Sequence, residues 1–213
     1  MILKETVKLN DAMFYCIKHP AKRGSVLKNI VALVEKGAEP WAVDEKGRTL
    51  LHYAAEQGDL KLINHFTKKF KIHPNVEDYS GQTAMHMAAT QFYGNVITAL
   101  HSAGGDVNAA DKHGVRPLHI AAVHGHVPVA CKLIKKGADI FAKSYDNRRG
   151  CSRLTAKEAA VIANQTDMVD VLEGIEAKQL KKQMAGECPT PPIFICSHDD
   201  GKVAVKTREN QKA

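Results

Sequence analysis

The side chains in this chain that could ligate a metal or act as nucleophiles are eleven histidines and five cysteines, with 23 carboxylates as candidate acids and bases. Their spacing does not gather them into a reaction centre. A structural or catalytic cation needs two or three converging ligands, and His113, His124 and His126 form the densest histidine group with no second cluster to complete it. Cys16, Cys131, Cys151, Cys188 and Cys196 make no C-x-x-C pair, and their odd number does not fit a disulfide framework. They read as reduced thiols. Ser197-His198-Asp199 spells the three letters of a hydrolase triad, but triads are assembled in space by a scaffold and not in sequence along a tail. A glycine-rich phosphate loop is missing from the sequence. No catalysis, cofactor or metal is expected.

Three other histidines follow a different rule. His52, His86 and His119 each stand in a twelve-residue block: Asp44 to Ala55, Asp78 to Ala89, and Asp111 to Ala122. The blocks recur at offsets of 34 and 33 residues, and a period of that size is the mark of a stacked-repeat architecture. Each position in the block has a physical role. Gly47, Gly81 and Gly114 fall where a tight turn requires positive φ. Thr49 and Thr83 are placed as helix N-caps. The histidines follow the cap by three residues, where a side chain reaches back to the turn as the acid of a capping box does. Ala54-Ala55, Ala88-Ala89 and Ala121-Ala122 let neighbouring helices approach closely. A second helix follows each block, with apolar residues at helical spacing: Leu62, Ile63 and Phe66; Val96, Ile97 and Leu100; Val129, Leu133 and Ile134. Gly104 and Gly137 close two of these helices.

The block D-x-x-G-x-T-P-L-H-x-A-A with its G-A-D-x-N-A ending resembles the ankyrin repeat, and the resemblance covers about residues 1–175. It implies an all-α solenoid of helix-turn-helix pairs joined by β-hairpin finger loops. About five repeats are expected near 5–42, 43–76, 77–109, 110–142 and 143–175, followed by a terminal helix, so that 1–183 forms the domain and 184–213 a flexible tail. The first repeat is degenerate, with helices over Thr6 to Lys18 and Ser25 to Lys36. The last begins at Thr155-Ala156-Lys157-Glu158-Ala159-Ala160. Both read as polar-faced caps. Departures from the pattern are Ala84 for Pro, Arg116 for the capping Thr, Phe92 for Gly, Trp41 for Asn, and a Lys68-to-Pro74 segment one residue long in excess.

The resemblance also implies binding of another protein through the finger loops and the first-helix face, at the positions that the repeat leaves variable. These include Trp41, Lys46, Arg48, Tyr53 and Gln57; Tyr79, Gln82, Met87, Gln91 and Phe92; His113, Val123 and His124; and Tyr145, Arg148 and Arg149 in an enlarged basic fifth finger. Tyr53, Tyr79, Met87 and Arg148 are the expected anchors, being of types enriched in interface centres. Asn108, with Leu100, Asp106 and Val107, has the spacing that the hypoxia-pathway asparaginyl hydroxylase accepts in ankyrin repeats. The expected function is a non-catalytic adaptor or scaffold. The alternatives are a viral or bacterial effector that captures a host protein, and an inhibitor of the IκB type.

Net charge is +7. From residue 184 on, four basic residues balance four acidic ones, so the whole excess lies on the repeats. That favours an acidic partner surface, and no nucleic-acid motif accompanies it; no small-molecule substrate is expected. No apolar run is long enough for membrane insertion, and the Met1-Ile2-Leu3-Lys4-Glu5 start lacks a signal-peptide core. The expected location is the cytoplasm, with the nucleus as the alternative.

Overall fold

The computed structural model describes residues 2–19, 25–144 and 153–186. It contains ten helices among these residues: α1 Ile2–Lys18, α2 Val26–Glu35, α3 Leu50–Gln57, α4 Leu60–Lys68, α5 Ala84–Ala89, α6 Gly94–Ser102, α7 Pro117–Val123, α8 Val127–Lys135, α9 Ala156–Ile162 and α10 Thr166–Gly186. One compact unit spans Met1–Gly174, and a second begins at Ile175, where residues 175–186 continue α10. Both terminal helices outrun their expected bounds: α1 begins at Ile2, and the helix expected after 175 is an unbroken extension of the fifth repeat's second helix. Tyr145, Arg148 and Arg149 lie outside the described residues, as does the tail beyond 186; of the tail expected from 184, residues 184–186 form the end of α10.

Within the first unit the helices pack in two rows. α3, α5, α7 and α9 touch in succession, as do α4, α6 and α8, and α3, α5 and α7 also pack on α4, α6 and α8 respectively. The sequence explains the asymmetry. First helices are short and built on alanine pairs, with Ala54, Ala55, Ala88, Ala89, Ala121 and Ala122 fully buried. The second helices supply the bulk: Leu62, Ile63, Phe66, Val96, Ile97, Leu100, Val129 and Leu133 are at most 2% exposed.

Finger turns are held by aspartate. The Oδ1 of Asp44 accepts the backbone N–H groups of Lys46 and Arg48, both at 2.9 Å. Asp78 does the same for Ser80 and Gln82, and Asp111 for His113 and Val115. Backbone bonds close each finger, from Asp44 N–H to Arg48 O, Asp78 to Gln82 and Asp111 to Val115. The expected β-hairpins are therefore closed turns, and no strand occurs among the described residues.

The three repeat histidines tie turn to helix and repeat to repeat. His52 Nδ1 accepts the Thr49 backbone N–H at 3.0 Å, and its Nε2 lies 3.1 Å from the Gln82 carbonyl of the next finger. His86 joins Thr83 to Val115, and His119 joins Arg116 to Ala142 and Leu154. Because Nδ1 accepts an N–H and Nε2 meets a carbonyl, each ring carries its proton on Nε2. Arg116 brings no hydroxyl to its cap, so the weakened fourth cap keeps the histidine half of the device, at 3.2 Å. A second line of ties uses Asn75 and Asn108, whose side chains bond the backbone of Gly104 and Asp106, and of Gly137 and Asp139, respectively.

Candidate partner-binding surface

The variable positions divide into those held up to solvent and those consumed by the scaffold. Trp41 and Tyr79 are each 65% exposed and Phe92 is 63% exposed. Lys46, His113, Val123 and His124 are also exposed. Arg48, Gln57, Gln82 and Gln91 are half-buried.

Tyr79 owes its pose to the finger before it. Its N–H donates to Lys46 O at 2.9 Å, and its ring lies where a Cβ on Gly47 would come within 2.6 Å. Gly47 has φ +77°, so glycine there serves both the turn and the ring. Tyr93, 41% exposed, repeats the device against Gly58. A Cβ on Gly58 would sit 2.5 Å from the Tyr93 ring. Tyr93 was not among the sequence candidates, because a Gln-Phe-Tyr-Gly stretch does not say which aromatic lies against the preceding repeat's glycine. Gly58→Ala is expected to destabilise by about 1–3 kcal/mol, from left-handed backbone strain and displaced aromatic packing, and a denaturant titration measures it.

Tyr53 and Met87, two of the expected anchors, are corrected by their burial, 8% and 7% exposed. Tyr53 lies under α1: its ring meets Phe14 edge-on at 6.2 Å, Lys18 Nζ sits 5.2 Å above it, and Arg48 Cζ lies 5.5 Å away. Its hydroxyl donates to Asp44 Oδ2 at 2.5 Å, and Lys18 Nζ lies 3.4 Å from the same oxygen. Burial alone would raise the Asp44 carboxyl, but hydrogen bonds from Tyr53, the Arg48 and Lys46 backbone and Lys18 hold it below its ordinary value. For Tyr53, burial and the carboxylate together push the phenol up. Gln57 is likewise tied to α1, donating to Ile17 O. The repeat pattern marks these positions as variable, but the pattern is silent on the cap helix that covers them.

Further along the first-helix row, Gln82, His113, Ile120, Val123, His124 and Leu154 line a groove of about 410 Å³. Beside it the Phe92 ring packs on His126 at 4.4 Å, and His126 on His124 at 5.4 Å. This aromatic ledge joins the groove to the exposed Phe92. No group of three metal-ligating side chains occurs among the described residues. The surface offers apolar rings, amides and imidazoles for contact, and its finger aspartates Asp44, Asp78 and Asp111 are already engaged by backbone.

A family model for ankyrin repeats in three copies matches residues 14–111 and 51–144. The chain belongs to the ankyrin-repeat family. Among curated relatives, this ankyrin-repeat chain is 32% identical over 133 residues to palmitoyltransferase AKR1 of Lachancea kluyveri, covering 61% of this chain and 18% of that protein. It is 30% identical over 161 residues to the nuclear factor NF-kappa-B p105 subunit of Gallus gallus, covering 68% of this chain and 16% of the relative. With the human NF-kappa-B inhibitor zeta it shares 32% identity over 126 residues, 56% of this chain and 17% of the relative. The chain thus spans less than a fifth of the length of these relatives. No described helix is long and apolar enough to cross a membrane.

Proposed function

We propose that this ankyrin-repeat chain is a non-catalytic adaptor that holds another protein on its finger tips and first-helix face, in the cytoplasm or nucleus. The observation that carries this reading is the set of exposed apolar side chains around the fingers and first helices: Trp41 and Tyr79, Phe92 between α5 and α6, and Val123 at the end of α7. Large rigid aromatics give contact area at low entropic cost, and interface hot spots are drawn from them. The groove beside His113, Val123 and His124 supplies a concave seat next to the row. The repeats occupy 1–183 in this reading, and the excess positive charge of the chain fits a partner with an acidic surface. The identity with a palmitoyltransferase lies over a small share of that protein, so it brings no reaction with it.

A second reading takes its support from the NF-kappa-B inhibitor zeta: masking of a transcription factor. A basic chain is poorly suited to cover a basic segment, which ranks this reading lower. Modification of Asn108 is a separate proposal. Its amide bridges Gly137 and Asp139, and an intact-mass spectrum without added oxygen after exposure to an asparaginyl hydroxylase removes it.

The test is affinity capture from lysate with the full chain and with Tyr79→Ala/Phe92→Ala/Val123→Ala, Tyr53 being left intact because of its burial. All three side chains are exposed, so the variant should keep its Tm within about 2 °C. A bound protein lost by at least tenfold in the folded variant supports the surface. Equal retention by both removes it.

A further inference from the structure

The charge of this chain is sorted by face. α4, α6 and α8 contain no aspartate or glutamate at all, while they carry Lys61, Lys68, Lys132 and Lys135, with Lys69, Lys71 and Lys136 at their ends. The finger side holds both signs, the carboxylates Asp44, Glu45, Glu77, Asp78 and Asp111 beside Lys46, Arg48, Lys112 and Arg116. Lysines without carboxylates thus set the row of α4, α6 and α8 apart from the finger face, where both signs are mixed.

On that row lies a groove of about 740 Å³ between α4 and α6, and its lining includes three lysines, a histidine and no carboxylate. Lys68, Lys71 and His73 stand at the C-terminal end of α4 and are exposed. Lys132 stands at the other end: its Cγ would lie 3.4 Å from a Cβ on Gly94, the first residue of α6, and α6 opens with no side-chain cap. Asn64, Asn95 and Ser102 are exposed polar groups along the floor. None of Lys68, Lys71 and Lys132 is paired with a carboxylate among the described residues. Asp59, next to α4, is spent as its cap on the N–H groups of Lys61 and Leu62.

Lysine at a helix C-terminus complements the helix dipole, and Lys68 needs no further account. Lys71 and Lys132 do. Lys71 sits at φ +57°, where the equivalent positions of neighbouring repeats are Gly37, Gly104 and Gly137. A left-handed non-glycine residue is strained, and the strain places a free ammonium at the groove mouth. Lys132 is contributed by the next repeat, so the two cationic ends come from different elements.

We infer that this second-helix groove docks an extended acidic segment of a second partner protein, with carboxylates three or four residues apart. The spacing follows from the helix. Leu60 to Lys68 spans about 12 Å at 1.5 Å per residue, and an extended chain covers that in about four residues. The groove is elongated, with charge at both ends and amides between, which suits a segment better than a point anion. The site is independent of the finger surface, so the chain would join two proteins on opposite faces.

The probe is a fluorescein-labelled peptide in which glutamates are separated by three prolines. Polyproline geometry sets them about 12 Å apart. A peptide of the same composition with adjacent glutamates is the comparison. Fluorescence anisotropy with the full chain should show the spaced peptide binding at least fivefold tighter, with weakening as salt rises. Lys71→Glu/Lys132→Glu should weaken it at least tenfold, while Tyr79→Ala/Phe92→Ala should leave it within twofold. Lys71→Gly should raise Tm by about 2–4 °C yet weaken binding severalfold, a combination that a purely structural lysine would not give. Equal affinity for the two peptides, or indifference to charge reversal, overturns the proposal. So does tighter binding of an oligonucleotide or of phosphatidylserine vesicles, lost in the same reversal, since the groove would then serve a nucleic acid or a membrane. Loss of capture on the finger face with peptide binding intact separates the failure of the two readings.

Discussion

Acidification from about pH 7.5 to about pH 5.5 is expected to lower stability, by at most about 4 kcal/mol, because three buried histidines bind protons less readily in the folded chain than in the unfolded one. Burial lowers the pKa of His52, His86 and His119 below the ordinary 6.5. The opposing contributions are the Gln82 carbonyl, Asp78 and Asp44 around His52, the Val115 carbonyl, Asp111 and Asp78 around His86, and the Leu154 and Ala142 carbonyls around His119; they do not outweigh it. Arg48 near His52, His52 near His86, and Arg116 near His119 add to the lowering. The unfolded chain then binds more protons than the folded one just below 6.5. Stability is fully present above that pH and is lost as pH falls from 6.5 toward the depressed folded values. With three such groups the slope reaches at most about 4 kcal/mol per pH unit.

Geometry shows why the loss is large. Nδ1 of each ring already accepts a backbone N–H, from Thr49, Thr83 and Arg116. Protonation would set two N–H groups against each other and break the link between the cap and the neighbouring finger. Chemical denaturation across this pH range is the measurement. His86→Ala should cost about 2–5 kcal/mol at the upper pH, since it leaves a buried N–H and carbonyl unpaired, and should flatten the slope by about 1.4 kcal/mol per pH unit. Carboxylates such as Asp44, whose folded value is depressed, contribute at lower pH, near their unfolded value of 3.8. A stability profile that stays level from about pH 7.5 to 5.5 would show that the three rings do not staple cap to finger.

The same histidines explain how much was legible beforehand. A fixed period, with Gly47, Gly81 and Gly114 in the turn and histidine three residues after the cap, leaves few folds open, because each residue answers a local backbone need. Local needs are what a sequence displays. The candidate surface was legible only where exposure also followed from the local pattern, as for Tyr79 at a finger tip. Tyr53 and Met87 were misplaced because their burial is set by what packs above them. For Tyr53 this is α1, whose docking site no periodicity specifies. The sorting of lysines onto the second-helix row was written in α4, α6 and α8 all along, but it becomes a surface property only when the two rows of helices are distinguished. Lys71 reads in sequence as one residue of a lengthened turn, and only the backbone shows it in a glycine's conformation.

The second large effect is expected in the core of the fourth repeat. Leu133, fully buried on α8, and Leu118, 1% exposed on α7, should each cost about 2–5 kcal/mol when cut to alanine, the transfer free energy plus the cavity left behind. In a repeat stack each unit touches only its neighbours, and α8 packs on α6 and α7. The damage should therefore be uneven. Hydrogen exchange in Leu133→Ala should rise most in α7, α8 and α9 and least in α3 and α4, and the equilibrium transition should broaden as the C-terminal repeats open first. Such a variant also separates the two binding faces: the groove between α4 and α6 would lose Lys132 with its helix, while Trp41 and Tyr79 would remain on folded fingers. A loss below about 1 kcal/mol for either leucine would contradict their place in the core. A uniform rise in exchange would mean that the repeats unfold as one cooperative block, and that the caps at α1 and α10 hold the whole stack together.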